Sequence, residues 1–149
     1  MYDIDEIMKM LDWNNSVEIQ QKGVELAKDI KTINAFILPL HEGCNKNVWE
    51  NCAKIIAQKP NKLLEPYLYS LLEWLQDANW PGFDIIFNKI KTMPVELVSE
   101  VYSYTIKKAV KLEDEMWLVW LSKLIKNEKL KYSLKIEVLE MLKMLTETE

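Results

Sequence analysis

The chain has no arginine, and all 19 of its basic residues are lysine. It therefore lacks the planar guanidinium that forms paired hydrogen bonds with a phosphate, a carboxylate or a guanine base. Its 23 acidic residues outnumber the lysines and give a net charge of -4 at pH 7. Because a phosphate backbone attracts positive proteins, we expect no nucleic-acid partner.

Cysteines and long apolar runs are also scarce. The two cysteines, Cys44 and Cys52, are too few for the disulfide framework of a small secreted protein. No apolar run approaches the roughly 18 residues that indicate a membrane helix, so we expect no membrane span. The acidic start, residues 1–6, lacks the basic and apolar regions of a secretion signal. These absences predict a cytoplasmic protein.

Helical periodicity is what the sequence has in abundance. Apolar residues recur at helical spacing in segments 16–30, 48–58, 62–76, 81–92, 94–111, 116–126 and 134–145, and 32–38 reads as a shorter helix. Proline follows or opens several of these segments, and we expect Pro81 and Pro94 at first helical positions. No alternating pattern or hairpin turn indicates a strand. We predict one all-α domain over residues 1–149.

Four tryptophans divide the chain at similar intervals. Trp13, Trp49, Trp80 and Trp117 are separated by 36, 31 and 37 positions, and each stands near the start of an amphipathic segment. A period of this size is typical of stacked helix pairs. The chain is therefore predicted to form a right-handed HEAT-like α-solenoid, an α-α superhelix of about four antiparallel helix pairs. Each tryptophan would then begin the second helix of its pair.

One stretch of sequence resembles a known family. Residues 71–82 read Leu-Leu-Glu-Trp-Leu-Gln-Asp-Ala-Asn-Trp-Pro-Gly. This string closely resembles the signature of a bacterial domain-of-unknown-function family, number 5071, and the similarity extends over about residues 48–120. The resemblance implies a HEAT-type helical repeat. It brings no catalytic residues with it and implies little about function.

The same stretch holds the candidate binding site, which consists of Glu73, Trp74, Asp77, Asn79 and Trp80. In a structural interpretation, Asp77 or Asn79 caps the helix that begins at Pro81, and Trp80 packs between repeats. In a functional interpretation, the turn lies at one rim of the solenoid and presents tryptophan and carboxylate groups to a ligand. The structural interpretation is the one that repeat turns favour.

Other aromatic residues are expected to divide between core and surface. Trp117 and Trp120 share one helical face and are predicted to pack in the core. Residues two apart on a helix point in different directions. At least one of Tyr67 and Tyr69, and one of Tyr102 and Tyr104, is therefore expected to be exposed or to lie at a second interface.

No arrangement of residues indicates a metal, a cofactor or a catalytic centre. His41, Cys44 and Cys52 lack the four-ligand spacing of a structural zinc site, and a Cys-His pair has no orienting third group here. We expect Cys52 to be a small buried side chain. The acidic clusters at 3–6 and 113–115 are interpreted as solvated helix starts. The lysines of the C-terminal part are interpreted as a solvated face.

The leading functional hypothesis is a non-enzymatic protein-interaction module of unknown partner and oligomeric state. It rests on the repeat pattern and on the many aromatic residues. A sharper version is an immunity-type inhibitor of a toxin, whose acidic surface would be steered onto a basic partner. An alternative is an enzyme or small-molecule binder that uses a groove near residues 74–80. A nucleic-acid binder ranks last.

Overall fold

A computed structural model of the chain describes residues 2–40 and 45–124, together with residue 140. All regular structure in these residues is helical, as the periodicity predicts. The α-helices are α1 (Ile4–Met10), α2 (Val17–Ala27), α3 (Trp49–Ala57), α4 (Asn61–Leu64), α5 (Leu68–Glu73), α6 (Phe83–Lys91), α7 (Val95–Lys111) and α8 (Glu115–Leu124). Single 3-10 turns lie at Asn34–Phe36, Leu38–Leu40, Lys46–Val48, Glu65–Tyr67 and Trp74–Gln76. Of the predicted helix at 134–145, only residue 140 is described, and it is helical.

Side chains at three helix starts supply acceptors for main-chain N–H groups. In α1, Asp3 Oδ1 accepts from the Glu6 N–H at 2.8 Å, and the Glu6 carboxylate accepts from the Asp3 N–H. Ser16 Oγ accepts from Ile19 at the start of α2, and Asp114 Oδ1 accepts from Trp117 in α8. The interpretation of the acidic clusters as helix starts is confirmed for these residues.

Two predicted helices differ from what the structure shows. The segment 32–38 forms no α-helix and instead contains the turns Asn34–Phe36 and Leu38–Leu40. The segment 62–76 is divided by the 3-10 turn Glu65–Tyr67, because Pro66 has no N–H to donate within an α-helix. Its predicted apolar positions are all buried: Leu64, Leu68, Leu71, Leu72 and Leu75.

Helices α2, α3, α6 and α8 form a row of neighbours. The first two lie side by side and begin at the same edge, since the Trp13 N–H donates to the Asn47 carbonyl just ahead of both. The next helix, α6, packs on α3, and Gly82 ahead of it touches Ala53. The rings of α6 then contact Trp120 of α8. In addition, α1 packs on α2, α7 packs on α5 and α8, and the 74–76 turn contacts α6.

The tryptophan series follows this row. Trp13 stands ahead of α2, Trp49 opens α3, Trp80 stands ahead of α6, and Trp117 lies in the first turn of α8. Trp49 and Trp117 are buried, whereas Trp13 is 46% exposed. The predicted core role of Trp117 is confirmed, and its Nε1 donates to the Leu72 carbonyl at 2.9 Å.

The hairpin of α1 and α2 is attached to the rest of the chain by two buried polar residues. Asn51 Nδ2 donates to the Leu11 carbonyl at 2.7 Å and to Gln20 Oε1 at 2.9 Å. Lys59, which is 4% exposed, donates to the main-chain carbonyls of Ala27, Lys28 and Ile30. Neither role is evident from sequence, because the partners lie about thirty to forty positions away.

Candidate functional site

Most of the predicted binding residues lie in the turn between α5 and α6. Trp74, at the start of this turn, is hydrogen-bonded to Pro81 near its end. Trp74 has no exposed surface, and its Nε1 donates to the Pro81 carbonyl at 3.0 Å. Its ring meets the Trp49 ring edge-on at 5.6 Å. This burial favours the architectural interpretation of Trp74, because a ring with no accessible surface cannot anchor a partner.

Asp77 and Asn79 are not helix caps, so that prediction is wrong. Asp77 Oδ1 accepts from the Asn79 N–H at 2.8 Å and thereby stabilises the turn itself. The helix α6 begins at Phe83, two residues later than predicted, and no side chain caps it. Its first flanking residue is Gly82 with φ 85°, a left-handed conformation that glycine adopts without strain.

Trp80 is half-buried and packs against α3. Its ring lies edge-on to Trp49 at 5.3 Å, and Lys46 Nζ is 5.8 Å from the centre of each ring. A cation close to both rings stabilises the packing of the start of α3 on the turn that contains Trp80. The structure thus brings Trp74, Trp80 and Trp49 into one cluster. Trp80 is the most accessible of the three side chains.

Glu73 belongs to a different surface, formed by α5 and α7. It is half-buried, and its charge lies near Tyr69, whose ring contacts Tyr104 at 5.5 Å. Burial raises the pKa of Tyr69, and the charge of Glu73 and the neighbouring Tyr104 raise it further. Glu73 is therefore placed beside Tyr69 by its charge.

The tyrosine prediction is confirmed for one pair. Tyr102 is buried and donates to the Leu121 carbonyl at 2.6 Å, and desolvation raises its pKa well above the ordinary value. Tyr104 is 58% exposed. In the other pair, Tyr67 and Tyr69 are both half-buried, so neither is fully committed to the core.

The residues considered for a metal are only partly described. His41 and Cys44 lie outside the described ranges, and Cys52 is buried as expected. Within those ranges, no three His, Cys, Asp or Glu side chains are grouped to hold a metal. None of the helices in the same residues is long and apolar enough to cross a membrane.

Sequence reasoning missed a groove between α2 and α3. It has a volume of about 570 Å³, and its walls include the side chains of Val17, Gln20, Gln21, Val24, Asn51 and Gln58. We call it the amide groove. The sequence shows the helical spacing of Gln20, Gln21 and Val24. It does not show which residues of α3 lie opposite them on α2. Without this information, Asn51 and Gln58 cannot be assigned to the same surface.

Exposed apolar side chains lie ahead of α2 and in its first turn. Trp13, Val17 and Ile19 are 46%, 67% and 45% exposed. The buried face of α2 is formed by Gly23 and Ala27. A methyl group added at Gly23 would lie 2.8 Å from Met10 Cβ, which explains the absence of a side chain there.

Most of the chain matches a protein-family model. A family model described as "Domain of unknown function (DUF5071)" matches residues 43–149, which include the 71–82 string and extend beyond the predicted similarity at both ends. No curated protein and no solved structure gave a match. The hairpin of α1 and α2 precedes the matched range.

Proposed function

The chain belongs to the DUF5071 family, and we propose that it is a non-enzymatic cytoplasmic module that binds another protein. We propose further that its helices form a HEAT-like α-solenoid. The row of α2, α3, α6 and α8, together with the packing of α1 on α2 and of α7 on α5 and α8, supports this arrangement. Stacked helix pairs of this kind present extended surfaces to partners.

The observation that carries the proposal is the exposure of Trp13 and Val17. A tryptophan and a valine side chain that are 46% and 67% exposed lie four positions apart at the edge of the molecule. Tryptophan is enriched among the residues that dominate binding energy at protein interfaces.

The buried polar groups support a structural rather than a catalytic use. Lys59 has a lowered pKa because burial removes water from its ammonium group, an effect that the nearby Asp29 opposes. Its protons nevertheless go to three main-chain carbonyls. The hydroxyl of Tyr102 is likewise used on a carbonyl inside the core. Neither group is left available to activate a substrate.

The proposal is tested by affinity purification of the tagged protein from its native lysate at physiological salt. We expect a protein to co-purify in stoichiometric amount with the wild type, and Trp13→Ala to reduce its recovery by about tenfold, equivalent to about 1.4 kcal/mol. Tyr104→Ala removes another exposed aromatic ring, on α7, and is the matched control. We expect it to retain the partner.

Thermal unfolding of both variants is measured alongside, because a loss of binding is informative only if the fold is retained. The absence of any stoichiometric partner would contradict the proposed function. Equal recovery with Trp13→Ala and wild type would contradict the assignment of the surface.

A further inference from the structure

The amide groove is long enough for a short extended segment of chain. It runs along α2 from Val17 to Lys28, a distance of about 16 Å at the helical rise of about 1.5 Å per residue. An extended peptide advances about 3.3 Å per residue, so about five residues fit along it. Asn51, Lys54 and Gln58 from α3 form the opposite wall.

Asn51 places an unused acceptor in this groove. The residue is 4% exposed, and its Nδ2 donates to the Leu11 carbonyl and to Gln20 Oε1. These two bonds fix the orientation of the amide and use both of its protons. Asn51 Oδ1 accepts no hydrogen bond from the part of the chain that the structure describes. This oxygen is not among the buried atoms that lack a partner, so it keeps accessible surface and can accept from a donor placed in the groove.

Two further amides lie on the walls of the groove. Gln21 and Gln58 are exposed and line the groove from α2 and α3. An amide side chain offers both a donor and an acceptor, as each main-chain peptide group does. Gln20, by contrast, is fully engaged: its Nε2 donates to the Trp13 and Asn15 carbonyls, and its Oε1 accepts from Asn51. Gln20 therefore shapes the wall and holds Asn51 in place.

The charges of the groove favour a neutral ligand group. Glu25 and Lys28 pair with each other at 2.8 Å on the α2 wall and compensate one another. Lys54 is exposed on the α3 wall. A single unpaired lysine, with no arginine beside it, binds a phosphate only weakly. Val17 and Val24 add apolar surface for alternate side chains of an extended strand.

We infer that the amide groove binds an extended peptide segment of the partner protein by hydrogen bonds to its main chain. Asn51 Oδ1 accepts from a peptide N–H, and Gln21 and Gln58 bind neighbouring peptide groups. Trp13, whose carbonyl is held by Gln20 at the start of the groove, lies where the peptide would enter or leave. This inference rests on the proposed function, because it identifies which part of a protein partner is recognised.

The test uses a displayed library of random peptides of about ten residues, selected on the purified full chain. Dissociation constants of the selected peptides are then measured by fluorescence polarisation. We expect the double variant Gln21→Ala/Gln58→Ala to weaken binding by about tenfold, since two hydrogen-bonding amides are lost. Asn88→Ala removes an exposed amide from α6 and should change binding less than about twofold.

Single N-methylation along the best peptide identifies the groups that are recognised. We expect methylation of at least one internal peptide nitrogen to abolish binding, since it removes the donor for Asn51 Oδ1. Failure to select any peptide, equal binding by the double variant, or tolerance of methylation at every position would overturn the inference.

The same double variant separates the inference from the proposed function. If a native partner still co-purifies with Gln21→Ala/Gln58→Ala at the wild-type level, the partner binds elsewhere and the peptide inference is overturned. If no partner co-purifies with the wild type, the proposed function itself is contradicted. Loss of the partner from the double variant alone supports both.

Discussion

The buried ammonium group of Lys59 donates hydrogen bonds to main-chain carbonyls in place of water. Its ammonium group donates to Ala27 at 2.7 Å, to Lys28 at 3.1 Å and to Ile30 at 2.7 Å. The carbonyls at the end of an α-helix have no partner within the helix. At the end of α2, the Ala27 carbonyl accepts from the Ile30 N–H as well as from Lys59. A positive charge at that end also interacts favourably with the helix dipole. These gains oppose the desolvation that lowers the pKa of Lys59.

Replacing Lys59 by methionine is expected to destabilise the protein by about 1–3 kcal/mol, because the Lys28 and Ile30 carbonyls lose this donor. The Ala27 carbonyl still accepts from the Ile30 N–H. Methionine retains most of the apolar stem and needs no buried charge, which keeps the loss within this range. Urea unfolding followed by circular dichroism at 222 nm measures the change. Lys62→Met, at an exposed lysine nearby, is the control and should change stability by less than about 0.5 kcal/mol. Equal stability of the two variants would contradict the capping role of Lys59.

At the scale of the element, the entry into α6 depends on Gly82. Its φ of 85° is left-handed, and a Cβ built there would lie 2.6 Å from Ala53 Cβ and 3.2 Å from the Trp49 carbonyl oxygen. The glycine therefore allows both the turn of the chain and the close approach of α6 to α3. Two separate physical effects are expected when it is replaced.

Gly82→Ala is expected to cost about 1–2 kcal/mol for the left-handed backbone and about 1–3 kcal/mol more for the collision with Ala53. Adding Ala53→Gly removes that collision, although it introduces a glycine within α3 at a cost of about 1 kcal/mol. A double-mutant cycle of unfolding free energies separates these terms. We expect a favourable coupling between the two substitutions. Strict additivity would show that the contact between α3 and α6 is not tight at this point.

The accuracy of the sequence predictions differs between elements for physical reasons. The segment 48–58 forms α3 nearly as predicted, with Val48, Cys52, Ile55 and Ile56 all buried. Its periodicity is local information, so the sequence is sufficient to identify it. The start of α6 was misplaced because Pro81 satisfies the local rule for a first helical position. The actual start is determined by the contact of Gly82 with Ala53, which lies 29 positions earlier.

The candidate site was predictable only in part for the same reason. The sequence identified the 71–82 string as informative, and the family match includes it. It could not show that Trp74 turns inwards to Pro81 while Glu73 faces Tyr69. The amide groove could not be predicted from the sequence, since Gln20 and Asn51 face each other only when α2 is packed on α3.

At the scale of the whole molecule, the α1–α2 hairpin lies outside the residues that match the family model. It is attached through contacts that the matched range provides: the Asn47 carbonyl, the Asn51 amide and the Lys59 ammonium group. Packing of α2 on α3 completes the attachment. An attachment with so few hydrogen bonds is expected to open without unfolding of the remaining helices.

Asn51→Ala is expected to increase the opening of this hairpin. Loss of the hydrogen bonds to Leu11 and Gln20 should speed amide hydrogen exchange in α1 and α2 by about tenfold. The amides of α5 and α7 should change much less, because their contacts are intact. Native-state hydrogen exchange measured by mass spectrometry resolves the two regions, with Asn88→Ala as the reference variant. Uniform acceleration over α1–α8 would show that the hairpin and the matched range unfold as one unit.

The common starting edge of the neighbouring helices α2, α3 and α6 has an electrostatic consequence. Helix dipoles that lie side by side in the same direction repel one another, because their positive ends meet at one edge. Each of these helices carries an acidic residue in its first turn: Glu18, Glu50 and Asp84. These carboxylates act as counter-ions within the row, so like ends of helices can stand together without a bound anion. Part of the excess of acidic residues in the chain is thus accounted for by the way its helices are aligned.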